Sequence, residues 1–215
     1  TAETWRKQVP ALVEAGYRVL TWDLRSHGRS GSPDEPVTIH ALAADLAVLV
    51  RAVGGPAHAL GHSAGGVITM RFALDHPELV RSLVLVGTAS EANAKAHAWY
   101  ESLATTAEAE GGEALLKKLG SRDAADAAPE PIGFAKISRA MGNLHVEPLT
   151  SGLEAVRCPT LVIVGEKDFL GVGGSVIISR RIAGARLEIV PGGVHALFHQ
   201  DPVGFNERLL AFLAS

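Results

Sequence analysis

Three positions far apart in the 215-residue chain carry the side chains of a nucleophile, an acid and a base: Ser63 in "GHSAGG", Asp168 in "LVIVGEKDF" and His195 in "EIVPGGVHALF". A serine hydroxyl is a weak nucleophile at its ordinary pKa. It becomes a good one when an imidazole takes its proton and a carboxylate holds that imidazole in the right tautomer and stabilises its charged form. The residue types match those roles, in the chain order Ser, Asp, His. The chemistry would be attack on a carbonyl carbon through a covalent serine intermediate. The glycines around Ser63 add a steric argument. On a tight strand-to-helix turn the backbone two residues before and two residues after the serine comes into close approach, so Gly61 and Gly65 are expected where a side chain would collide.

Several neighbours compete for these roles. His62 lies inside the turn, where its ring should point away from the serine and serve shape or support rather than proton transfer. His199 stands one helical turn beyond His195, but no carboxylate or cysteine completes a metal set with the pair, and neither a metal nor a cofactor is expected. Glu166 precedes Asp168 by two positions, while Glu91, just past the third apolar run, is the alternative acid. The single cysteine, Cys158, sits before Pro159 and an apolar run and reads as a small buried residue.

The elements that must position these groups come from five short runs rich in Val, Leu and Ile, at residues 17–22, 57–61, 82–86, 160–164 and 186–190. They read as buried strands of a parallel sheet. Helical patterns lie between them at 4–14, 39–52, 65–75, 175–182 and 203–213. This alternation is that of an α/β fold with helices on both faces. In open sheets of this kind ligands bind beyond the carboxyl ends of the strands, and Ser63, Asp168 and His195 each fall within a few residues of such an end. Residues 91–155 break the alternation: they show no strand pattern and are rich in Ala, Glu and Lys, with breaks at Gly111-Gly112, Pro129, Pro131, Gly133 and Pro148. They are expected to form a helical cap between a first core part at 1–90 and a second at 156–215. The cap's bulky residues Trp99, Tyr100, Phe134, Met141 and Leu144 either pack on the main domain or line a pocket above the serine; Trp99, Phe134 and Met141 are the pocket candidates.

Composition excludes other classes. A hydrophobic content of 47%, 20% charged residues and a formal charge of -3 are ordinary for a soluble globular protein. With no basic cluster and few aromatics, no nucleic-acid partner is expected. No apolar run reaches the roughly 20 residues of a membrane span, so no membrane partner is expected and the cytoplasm is the expected location.

These motifs, taken together and in order, resemble the α/β-hydrolase superfamily. "GHSAGG" is similar to its nucleophile elbow, "YRVLTWDLRSHGRSGSPD" to the preceding strand and loop, "CPTLVIVGEKD" to its acid turn and "IVPGGVHALFHQDPVGFNERLLAFL" to its histidine loop and last helix. The short cap resembles that of small esterases, enol-lactonases and cofactor-free haloperoxidases or perhydrolases. The resemblance implies Ser63 as nucleophile, His195 as base, Asp168 as acid and the backbone N–H of Ala64 as one oxyanion donor, acting on a small ester or lactone. Two other functions carry the same fold: a perhydrolase or carbon-carbon bond hydrolase with the same three residues, and a non-catalytic binding protein. Serine at the nucleophile position disfavours epoxide or haloalkane hydrolysis, which resembling enzymes perform with aspartate there.

Two departures stand out. Ser26 replaces the glycine usual in the "RGHGRS" loop. The family's HG-type motif, source of the second oxyanion donor, has no counterpart here. A native segment of some tens of residues before Thr1, with an apolar strand and a His-Gly pair, is expected to hold it. Without it, the edge of the strand at 17–22 would be open to self-association.

Overall fold

The computed structural model describes residues 1–119, 130–168 and 171–215. Its centre is a parallel sheet of four strands, β1 (Ala57–His62), β2 (Val80–Val86), β3 (Thr160–Gly165) and β4 (Arg186–Val190), side by side in that order. The helices are α1 (Val9–Glu14), α2 (Ile39–Ala52), α3 (Ala64–Asp75), α4 (Ala94–Lys118), α5 (Pro131–Gly142), α6 (Gly171–Arg181), α7 (Leu197–Gln200) and α8 (Pro202–Leu213).

Four of the five apolar runs are strands. The fifth, at 17–22, is not: it lies outside the four-stranded ladder among the described residues. Apolar residues report burial, but a strand exists only where a neighbouring backbone offers N–H and C=O groups. Here burial comes through side chains alone, with Trp22 and Leu24 against the main core and the Tyr17 ring edge-on to His58 at 5.9 Å. The helix expected over 4–14 is likewise divided, a 3-10 turn at Ala2–Trp5 preceding α1.

Alternation along the strands splits the interior in two. Leu83, Leu85 and Val162 join a core with α2, α3 and Ile178 of α6, whereas Val84, Val86, Leu161 and Ile163 join one with α7 and α8. Successive side chains of a strand point to opposite faces, so continuous apolar runs need helices on both. Thr38 starts α2 by accepting the N–H of Ala41 at 3.1 Å, and Asp201 starts α8 by accepting that of Gly204 at 3.0 Å. From there Phe205, Leu209 and Phe212 form the stripe that α8 buries.

Between β2 and β3 the chain forms α4 and α5, which pack together. Gly111 breaks α4 with φ +83° and ψ −176°, a conformation that glycine alone adopts readily. Glu130 caps α5 by accepting from Ile132 and Gly133, and Arg139 of α5 pairs with Glu101 and Glu108 of α4 at 3.0 and 2.5 Å. The break expected at Pro129 lies outside the described residues.

Candidate active site

Strand register aligns the carboxyl ends on which the site is built. His62 lies opposite Val86, Val86 opposite Ile163, and Gly165 opposite Val190. Ser63 follows β1 with φ +52° and ψ −119°, a left-handed conformation that costs a side-chain-bearing residue of order 1–3 kcal/mol and is typical of functional turns. The turn is held by Ser63 N–H donating to Val86 O at 2.9 Å and by Thr88 Oγ1 donating to Ser63 O at 2.8 Å. The Ser63 hydroxyl does not cap α3. A Cβ on Gly61 would sit 2.3 Å from Gly65 O, and one on Gly66 would sit 2.6 Å from Thr88 Cβ, but one on Gly65 would meet nothing within 4 Å. The steric demand expected of Gly61 and Gly65 therefore falls on Gly61 and Gly66, because it is the carbonyl of Gly65, and not its α-carbon, that crowds the strand end. Ala64 opens α3, so its N–H has no acceptor within the helix and lies at the positive end of the helix dipole.

Asp168 follows β3 with its carboxylate fully enclosed, and His195 follows β4 with its ring partly open to solvent. His195 Nδ1 lies 2.9 and 3.0 Å from the two Asp168 oxygens. With Nδ1 carrying its hydrogen toward the carboxylate, Nε2 is the nitrogen left to accept a proton. Gly87 follows β2 and lies against this pair with φ +52°. A Cβ there would lie 2.7 Å from Asp168 Oδ2 and 3.3 Å from His195 Nδ1. The Val86–Gly87–Thr88 turn thus touches all three candidate residues: Ser63 through its hydrogen bonds, Asp168 and His195 through the room that glycine leaves.

The other acid candidates are committed elsewhere. Glu91 accepts from Thr150 Oγ1 at 2.6 Å, and Glu166 accepts from Gly192 N–H at 2.8 Å. The ring of His199 packs on Phe198, with centroids 4.4 Å apart. Cys158 is half-buried, and burial pushes its thiol pKa up, which suits a packing role. Ser26 adopts φ +62° and is bridged to Ser32 Oγ at 2.9 Å; its carbonyl lies where a Cβ on Gly133 of α5 would come to 1.9 Å. Of the pocket candidates, Trp99 and Phe134 pack against a small cluster of Leu103, Ala104, Ala107, Leu115 and Ala135 in α4 and α5, while Met141 is only 2% exposed and belongs to the main core beside Ile137 and Leu144. Sequence reasoning passed over Gly87 and Thr88. Their signal is the glycine at the end of each of the first three strands, Gly61, Gly87 and Gly165.

Comparison with known proteins finds relatives for the chain as a whole. A family model described as "alpha/beta hydrolase fold" matches residues 1–125. The chain is 30% identical to the "Putative carbamate hydrolase RutD" of Variovorax paradoxus, over 100% of this chain and 88% of that protein. Among solved structures it is similar to a hydrolase from Pseudomonas aeruginosa, with TM-score 0.86 and 30% identity over 100% of this chain and 86% of the other. It is also similar to the enol-lactonase from Burkholderia xenovorans, with TM-score 0.89 and 25% identity over 100% and 87% of the two chains.

Proposed function

Because the chain belongs to the α/β-hydrolase fold family and is a hydrolase by its relatives, we propose that it cleaves a small carboxylic ester or lactone through an acyl-enzyme on Ser63. The observation that carries this reading is the 2.9 Å contact of His195 Nδ1 with Asp168, at the same sheet edge as the left-handed Ser63.

Ser63 Oγ adds to the substrate carbonyl as its proton passes to His195 Nε2, and the imidazolium is stabilised by the Asp168 carboxylate. The carbonyl oxygen becomes an oxyanion, to which the Ala64 N–H at the start of α3 donates. Collapse returns the proton from His195 to the leaving alkoxide, releasing alcohol and leaving Ser63 acylated. For a lactone, alcohol and acyl group remain one molecule. Water then repeats the sequence with His195 as base, freeing the acid and Ser63. The RutD relative favours a second reading, a small carbamate, since the same attack serves a carbonyl bearing nitrogen.

The test uses a fluorophosphonate probe together with panels of p-nitrophenyl esters, lactones and carbamates. Labelling at Ser63, lost in Ser63→Ala, with turnover of one panel, is the expected result. Folded protein that neither labels nor turns over any panel would instead be a binding protein on this fold.

A further inference from the structure

The sequence assigns the base but not what keeps it aimed. His195 stands on a loop between β4 and α7, and the contacts that hold this loop come from distant parts of the chain. The closest to the reacting groups is His62, the residue before the nucleophile. Its Nε2 lies 3.1 Å from the main-chain carbonyl of His195. Its ring centroid is 4.5 Å from that of His195 and 4.7 Å from that of Phe198. Burial, with the adjacent His195 ring adding to it, holds the His62 pKa down to about 3. A neutral ring offers one N–H, and the His195 carbonyl can only accept, so Nε2 carries the hydrogen and donates it. The ring bearing that donor belongs to the strand end that delivers Ser63, so a single side chain ties nucleophile and base together through adjacent backbone.

We infer that His62 is a positioning residue for His195: it anchors the carbonyl of the base and packs against its ring, so that the imidazole keeps its line between Asp168 and Ser63 as it gains and loses a proton. The inference rests on the reading of His195 as the base. A neutral donor suits the task, because a charged neighbour at this distance would oppose the imidazolium at the moment it forms. Gln8, wholly buried, donates Nε2–H to Phe198 O at 3.0 Å and steadies the same segment from α1's side.

The experiment compares His62→Phe, which keeps a ring but no donor, with His62→Gln, whose amide nitrogen reaches about as far as Nε2. His62→Phe is expected to lower kcat by about 10²-fold, the scale of an ångström of misplacement, with KM within about 2-fold. In the proton NMR spectrum the downfield His195 Nδ1–H signal should shift or broaden beyond detection. His62→Gln is expected to restore kcat to within about 3-fold of native and to return the signal, which a purely volumetric role would not do. The inference is overturned if His62→Phe keeps native kcat and signal, or if His62→Gln is as impaired as His62→Phe. If His62→Phe does not fold, the His62→Gln arm decides alone: kcat lowered by about 10²-fold or an absent signal overturns the inference. Ser63→Ala and His195→Ala run alongside separate this failure from the other: should either retain native turnover, it is the catalytic reading that falls.

Discussion

Acidification probes the same buried imidazole through stability. Burial depresses the His62 pKa from its ordinary 6.5 to about 3, so the folded protein keeps the ring neutral where the unfolded chain protonates it. The unfolded state then binds more protons below about pH 6.5, and the stability present above that value is lost progressively as pH falls toward about 3. One pH unit of such a difference is worth about 1.4 kcal/mol. From about pH 7 to about pH 5 the folded state should therefore lose about 2 kcal/mol through this one group, a substantial part of the 5–15 kcal/mol typical of a domain. Urea unfolding at the two pH values, on the native protein and on His62→Gln, isolates the effect. Other histidines, including His27 and His58, whose pKa values burial also lowers, titrate alike in both proteins and cancel. The native protein should lose about 2 kcal/mol more than the variant on acidification. Equal losses would mean that the folded state charges or solvates His62, and the assignment of a neutral donor would fall with it.

Asp168→Asn should lower kcat by about 10⁴-fold by upsetting the His195 tautomer, whereas Glu91→Gln should stay within a few-fold of native; steady-state kinetics reporting the opposite ranking would move the acid to Glu91. Gly87→Ala puts a methyl 2.7 Å from Asp168 Oδ2 at φ +52°, and should cost about 1–2 kcal/mol in urea unfolding and about 10²-fold in kcat. Native kinetics in that variant would refute the close approach. Met141→Ala, emptying a site that is 2% exposed, should cost about 2–5 kcal/mol with ester chain-length preference unchanged. Trp99→Ala, thinning the cluster around Leu103 and Leu115, should likewise lower the thermal midpoint more than it alters that preference, and the opposite result would make Trp99 a pocket residue.

Much of the candidate site was legible before the fold, because the signals are local. A short apolar run that gives way to glycine or proline marks a strand end, and three such ends, at Gly61, Gly165 and Pro191, lead within a few residues to Ser63, Asp168 and His195. The helical patterns at 39–52 and 203–213 are legible for the same reason, and the structure adds that Thr38 and Asp201 each accept from the backbone three residues on.

What sequence could not decide is whatever depends on a partner from elsewhere in the chain. Residues 17–22 have the composition of a strand, yet strand identity requires a neighbouring backbone, and the described sheet begins at β1. Asp168 stands ahead of Glu91 in the sequence, but that Thr150, some sixty residues beyond Glu91, donates to the Glu91 carboxylate is visible only in the fold. Gly65 looked as constrained as Gly61 because sequence counts residues, not atoms; the close approach is made by one carbonyl. Met141 and Trp99 are both bulky residues between β2 and β3, and only the seating of α5 on the main core buries the former and leaves the latter on the smaller cluster of α4 and α5. His62 shows the limit most clearly. Its position beside the nucleophile is visible in the first reading, but its bond to the His195 carbonyl exists only once β1 and the loop after β4 meet at one edge of the sheet, 133 positions apart in the chain.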